Sequence, residues 1–172
     1  MQVRPADESE IDELARVWFD GWHDAHARIL PAELARVRTR ASFEKRLRAE
    51  LDTVRVIGPI GAPLGFCMVK DAELYQLYVS APARGSGISA ALLADAEARL
   101  ARNHVEIAWL ACAMGNERAA RFYEKSGWRR AGTFLSRLGT ETGTSEAKTV
   151  DVEVWRYEKR LEAPSRPRPR AE

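Results

Sequence analysis

One segment constrains this chain more than any other. An extended apolar run, LYQLYV (74–79), feeds the turn VSAPARGSGISAALL (79–93), which opens into the helical pattern ISAALLADAEARL (88–100). Gly85 and Gly87 sit where strand becomes helix, with Arg84 just before them. Backbone N–H groups in the first turn of a helix have no partner inside the helix. Glycines let that backbone come close to a ligand, and the helix dipole favours an anion there. Arg84 adds a full charge and a fork of donors. The Lys-Ser/Thr pair of a Walker loop is missing after Gly87, and the G-x-G-x-x-G spacing of a dinucleotide turn also fails. The residues alone leave two readings: an anion-binding turn, or a tight turn that glycines merely cap.

The rest of the chain alternates in an orderly way. MQVRPA reads as a short strand ended by Pro5, and DESEIDELARVWFDGWHDAHA as a helix capped by Asp7 or Ser9, with Ile11, Leu14, Val17 and Trp18 at helical spacing. A second helical stretch over 32–51 breaks near Thr39–Ser42, and its Phe43, Leu47 and Leu51 share one face. TVRVIGPI, LGFCMVK and ELYQLYV, with turn residues between them, predict an antiparallel meander over 53–79. The helix over 87–102 buries Ile88, Leu92, Ala96 and Leu100, and Asp95 pairs with Arg99 on its surface. VEIAWLACA (105–113) reads as a central strand. NERAARFYEKSGW reads as a helix with Asn116 as its N-cap and Gly127 at the left-handed C-terminal position. WRRAGTFLSRL and VDVEVWRYEK close the order as strands joined by a loop at 139–149. The expected class is α/β of the α+β type: a mixed, mostly antiparallel central sheet of about six to seven strands with helices on both faces. A single domain spans 1–161, and the Pro/Arg-rich segment 162–172 reads as a disordered tail.

Composition narrows the partners. The net charge is +2, from 27 basic and 25 acidic residues, which argues against a nucleic-acid binder. Residues 28–55 nevertheless hold eight Lys/Arg against four Asp/Glu, either a patch that steers an anionic ligand or a solvated helix face. Cys67 and Cys112 lie in apolar strands as core residues, and with no histidine at ligand spacing they make no metal site. No apolar run reaches membrane-spanning length and the charged start carries no signal core, so the expected setting is cytoplasmic, with no membrane partner.

Arg84-Gly85-Ser86-Gly87-Ile88-Ser89 resembles the Arg/Gln-x-x-Gly-x-Gly/Ala motif of the GNAT family, the Gcn5-related N-acetyltransferases; Ser89 departs from the usual last residue but stays small. The helix from Asn116 to Gly127, with Tyr123 before its closing glycine, resembles the family's other signature, and the element order is similar from residue 1 to about 160. The resemblance implies the acyl-CoA N-acyltransferase fold, with strands 74–79 and 105–113 splayed apart. It implies acetyl-CoA as co-substrate, no metal, and a homodimer as a common assembly. The pyrophosphate would rest on Gly85, Ser86, Gly87, Ile88 and Ser89 beside Arg84, the pantetheine arm along Leu77, Tyr78 and Val79, with Asn116, Ala119 and Tyr123 completing that side.

For the chemistry, the resemblance points to Tyr123 as donor to the leaving sulfur, to the Leu77 N–H as oxyanion donor, and to Glu73 as general base. Tyr123 also fits a core position beside Phe122, and Glu73 also fits a solvent-exposed strand end. Glu106 and Glu153 are weaker base candidates. Trp22, His26, Glu73 and Tyr75 would line the acceptor cleft, which Trp155 or Tyr157 could extend, while Trp18 fits the core. The expected activity is acetyl transfer from acetyl-CoA to a primary amine by direct attack in a ternary complex, the amine being a small molecule or a peptide or protein group. The alternative is a non-catalytic acyl-CoA sensor or interaction module on the same fold.

Overall fold

The computed structural model describes residues 2–140 and 148–162. The tail from 163 onward, and the middle of the loop expected at 139–149, lie outside the described residues. In chain order the strands are β1 (Val3–Pro5), β2 (Val54–Ile57), β3 (Gly65–Lys70), β4 (Glu73–Val79), β5 (Ile107–Ala113), β6 (Arg129–Thr140) and β7 (Lys148–Arg160). The helices are α1 (Ile11–His26), α2 (Ala32–Val37), α3 (Arg40–Ala49), α4 (Ile88–Arg102) and α5 (Glu117–Lys125). The helical stretch before β2 divides where the sequence suggested, because Thr39 turns extended and caps α3 by accepting from the Ser42 N–H. The closing strands run further than expected, to Thr140 and from Lys148, so the hairpin takes in residues first assigned to its loop.

Seven strands form one sheet in the order β1-β2-β3-β4-β5-β7-β6. Every neighbouring pair is antiparallel except β4 and β5. Two apolar layers sandwich the sheet. In β3 the side chains alternate: Cys67 and Val69 go to one layer, Phe66 and Met68 to the other. The first layer takes Ile88, Leu92, Leu93, Ala96 and Leu100 of α4. The second takes Ile11, Leu14, Val17 and Trp18 of α1 with Phe43 and Leu47 of α3, where Trp18 stacks on Phe43 at 4.7 Å between ring centres. Helices on both faces therefore follow from period-two burial in the strands meeting helical stripes on either side.

The N-terminus is pinned by one buried charge. Glu10 is 0% exposed and receives both terminal nitrogens of Arg4 at 2.7 Å, together with the backbone N–H groups of Asp7 and Gly61. Asp7 accepts from the Ser9 N–H and makes a capping box with Glu10, so the short turn Glu8–Glu10 runs straight into α1.

Candidate active site

The middle of the sheet opens. β4 and β5 pair through the single register Glu73↔Trp109, reinforced by the Trp109 N–H on Ala72 O at 3.0 Å. Beyond that point the two strands part. The cause lies on the other edge of β4. Its register with β3 steps from Val69↔Leu74 to Met68↔Gln76, leaving Tyr75 as an extra residue. Such a bulge bends the strand and increases its twist, which carries the far half of β4 away from β5.

The bulge also decides where the backbone points. The Ser80 N–H donates to Leu64 O at 2.8 Å, across to the β3 side. Backbone direction alternates along a strand, so Tyr78 also faces β3, while Leu77 and Val79 turn their N–H and C=O groups toward the gap. A cleft of about 310 Å³ occupies that gap. One wall is Leu74 to Val79, the opposite wall Ala111, Cys112 and Ala113, and Phe122 and Tyr123 of α5 join them.

At one end of the cleft lies the glycine turn. Gly85 and Gly87 have φ of +79° and +85°, a left-handed conformation costly for side-chain-bearing residues. A Cβ on either would meet nothing within 4 Å, so the glycines are there for backbone direction rather than for room. Gly87 is the N-cap of α4, and no side chain accepts from the first turn. The Ser86 hydroxyl donates instead to Ala83 O. The mouth of α4 thus presents bare N–H groups, the arrangement that suits a diphosphate. Arg84, Gly85 and Ser89 line the cleft; Ser86 and Gly87 shape the turn, and Ile88 is buried under it in the core.

On the opposite wall, Asn116 caps α5 by accepting from the Ala119 N–H at 3.3 Å. Gly127, at φ +85°, ends the helix: its N–H donates to Glu124 O and the Trp128 N–H to Tyr123 O. That closure holds Tyr123 against Phe122, Trp128 and Tyr157. Asn116, Ala119 and Tyr123 all line the cleft. Burial pushes the Tyr123 phenol well above its ordinary range, so the group stays protonated and keeps its O–H to donate.

The end of α1 crosses the opening. Asp24 receives Arg84 at 2.8 Å and Arg118 at 3.0 Å, tying α1 to the glycine turn and to α5. Ile29 packs on Gly115. Gly21 sits against the Tyr78 ring, where a Cβ would come within 2.6 Å. His26 lines the cleft, and its Nδ1 donates to Trp22 O at 3.1 Å, which leaves Nε2 as acceptor. Burial pulls its pKa down to about 4.

Glu73 stands at the apex of the splay, one residue before the lining begins at Leu74. Burial raises its pKa to about 7, against the opposing charges of Lys70 and Arg156. This is a half-desolvated carboxyl rather than the freely exposed strand end the sequence also allowed. Tyr75 lines the cleft on the α3 side.

Four expectations change. Trp22 does not reach the cleft: it is 7% exposed and packs into the α1–α3 layer, because it follows Trp18 by one helical turn and shares its inward face. Trp155 and Tyr157 are likewise buried in the sheet core. Glu106 is exposed beside Arg160, and Glu153 is exposed and receives the Thr133 hydroxyl, so neither faces the gap. The sequence reading also missed Gln76, Cys112, Arg118 and Phe122, which line the cleft. The small residues of LACA in β5 were the available signal for an open wall there; the bulge that exposes Gln76 left none.

Among the described residues, no group of three His, Cys, Asp or Glu side chains gathers as a metal site, and no helix is long and apolar enough to cross a membrane. The sequence model of the acetyltransferase (GNAT) family matches residues 9–128. An uncharacterized N-acetyltransferase of Mycobacterium tuberculosis (strain ATCC 25618 / H37Rv) is 36% identical over 84 residues, 46% of this chain and 54% of that protein. The chain thus spans about half the length of the curated relatives it matches. A GCN5-related N-acetyltransferase structure from Rhodopseudomonas palustris superposes with a TM-score of 0.71 at 18% identity, covering 92% of this chain and 94% of that one. The PaiA N-acetyltransferase of Thermoplasma acidophilum, in complex with coenzyme A, gives 0.63 at 18% identity over 93% and 98%.

Proposed function

The chain belongs to the acetyltransferase (GNAT) family, and from that premise we propose that it moves an acetyl group from acetyl-CoA to a primary amine by direct attack in the β4–β5 gap. The observation that carries this reading is the open gap itself, with an uncapped helix mouth at one end and a desolvated carboxyl at the other. The residues fit the co-substrate. Bare N–H groups from Gly85 to Ser89 would hold the diphosphate with Arg84, which would exchange Asp24 for phosphate oxygens. The Leu77 and Val79 backbone would pair with the pantetheine amides as a strand edge pairs with an added strand. Acetyl-CoA supplies the activated acyl carbon and a thiolate leaving group.

The amine must be neutral to attack, and a free ammonium near pKa 10.4 is only about four parts in ten thousand neutral at pH 7. Glu73, poised near pH 7, is a better base than His26. His26, at about 4, is too weak: moving a proton from such an ammonium to it is uphill by about 9 kcal/mol. The amine nitrogen bonds to the acyl carbon, its proton passes to Glu73 directly or through water, and the carbon–sulfur bond breaks. The Leu77 N–H would steady the developing negative charge on oxygen. Tyr123 would donate a hydrogen bond to the sulfur. A phenol at 10 giving its proton outright to a thiolate at 8.5 is already uphill by about 2 kcal/mol, and burial makes it steeper. The thiolate therefore takes its proton from solvent after release.

The test is thiol release from acetyl-CoA across a panel of primary amines, with acetylated product followed by mass spectrometry. Amine-dependent release supports transfer. A thermal shift with acetyl-CoA but no product from any amine would leave only the acyl-CoA-binding module.

A further inference from the structure

The basic stretch 28–55 has so far no role in the proposed chemistry, and one of its members sits directly behind a residue of the cleft wall, Tyr75. Arg46 of α3 lays its guanidinium over the Trp18 ring at 4.4 Å and donates from Nη2 to the Tyr75 hydroxyl at 2.7 Å. Tyr75 is the bulge residue and lines the cleft. Among the described residues no carboxylate pairs with Arg46; its partners are the Tyr75 hydroxyl and the rings of Trp18, Phe43 and Tyr75. Stacking on an aromatic face fixes the plane of a guanidinium and leaves its edge for a planar anion. Four of its five N–H donors remain after the bond to Tyr75. Burial raises the Tyr78 phenol, another lining group, and the nearby Arg46 charge opposes that rise.

The same face carries Glu73. Leu74 packs toward α4 and Tyr75 toward α1 and α3, so Glu73 and Tyr75 lie on one side of β4, roughly 7 Å apart along the strand. Lys70 spans the two: its Nζ sits 4.1 Å over the Tyr75 ring, and its charge acts on Glu73. Lys70 is already engaged by Glu50 at 2.7 Å, so it is less free than Arg46 to receive an acceptor's charge.

We propose that the acceptor amine carries an anionic group, a carboxylate or a phosphate, which Arg46 receives at the Tyr75 end of the cleft while the amine stands at Glu73. This rests on the acetyltransferase reading above and names the class of acceptor for that same site. A single stacked guanidinium then sets specificity: a neutral amine leaves the fork without a charged partner, and a second cation beside Arg46 is repelled.

The experiment compares matched acceptors: α-, β- and γ-amino acids, their carboxamides, and the corresponding aminoalkyl phosphonates. The wild type is expected to acetylate the acids or the phosphonates with kcat/KM tenfold to a hundredfold above the amides, about what a charge-assisted hydrogen bond supplies. The acid arm and the phosphonate arm tell the two anions apart. In Arg46→Gln that preference should fall to near unity, and Arg46→Lys should restore part of it. Retention of the acetyl-CoA thermal shift in both variants shows that they fold. Amides turned over as well as the acids, or a preference that survives in Arg46→Gln, overturns the proposal while leaving acetyl transfer intact. If no amine is acetylated, the transferase reading falls instead. Arg46 is then judged by binding: the N-acetylated acids should raise the melting temperature of the wild type and not of Arg46→Gln, and equal shifts would overturn it.

Discussion

Glu73→Gln should move stability and activity in opposite directions, and both follow from one cause. Burial raises the carboxyl from 4.5 to about 7. Between those values the unfolded chain has lost its proton and the folded chain has kept it. Raising the pH through that window therefore favours unfolding, and the loss levels off above about 7. The full shift would correspond to about 3.4 kcal/mol. Glu73 is only partly buried, and solvent screening reduces this to about 1–2 kcal/mol. At this chain length about 2–4 °C of melting temperature accompanies each kcal/mol. Scanning calorimetry at pH 4.5 and pH 8.5 is expected to show the Glu73→Gln melting temperature gaining about 2–8 °C on the wild type across that interval. Comparing one difference at two pH values cancels whatever the amide itself costs. Activity goes the other way. The wild-type kcat/KM for a weakly basic amine should climb with pH through about 7 and then flatten, and in Glu73→Gln that rise should vanish with a loss of about 10²–10⁴-fold. A gap between the two melting temperatures that stays constant from pH 4.5 to 8.5 would show that Glu73 is not desolvated, and the reasoning would fail at its first step.

Other perturbations test separate parts of the site. Tyr123→Phe keeps the ring contacts with Phe122 and Trp128; kcat should drop about tenfold to a hundredfold with the KM for acetyl-CoA nearly unchanged, measured by steady-state thiol release. Gly87→Val puts a β-branched residue at φ +85° with no steric neighbour within 4 Å. It should cost about 1–3 kcal/mol, still fold, and lose the melting-temperature rise that acetyl-CoA gives the wild type. Glu10→Gln leaves Arg4 without its buried partner and should lower stability by about 3 kcal/mol in urea unfolding. Arg4 holds the Glu10 carboxyl below its usual range, so this stabilisation is present above the ordinary carboxylate pKa and disappears as pH falls through the depressed one. The difference between wild type and Glu10→Gln should therefore shrink in acid.

How much of this was legible beforehand depended on range along the chain. The glycine turn and the Asn116–Gly127 helix are local devices, with left-handed glycines and a capping asparagine, so their chemistry is written in adjacent residues and the structure places them where the sequence did. The α4 stripe was equally local, a period of 3.6 residues against an apolar strand. Trp22 misled because helical spacing shows which residues share a face but not what that face meets. Only the packing of α1 on α3 and the sheet turns it inward. The bulge at Tyr75 has no signature of its own, since LYQLYV reads as an unbroken strand; the extra residue appears only when β3 sets the register. That one residue opens the gap, exposes Gln76, turns Leu77 and Val79 toward the cleft and puts the Tyr75 hydroxyl within reach of Arg46. Asp24 is the same case at longer range: an ordinary helix carboxylate in sequence, it meets Arg84 and Arg118 only because α1 crosses the splay. The distribution has a physical reason. Anion capture needs only the backbone of one turn, and a turn is encoded locally. Choosing and deprotonating an acceptor, as proposed, needs charges from β4 and α3 to converge, and convergence is a property of the sheet's register rather than of any stretch of residues.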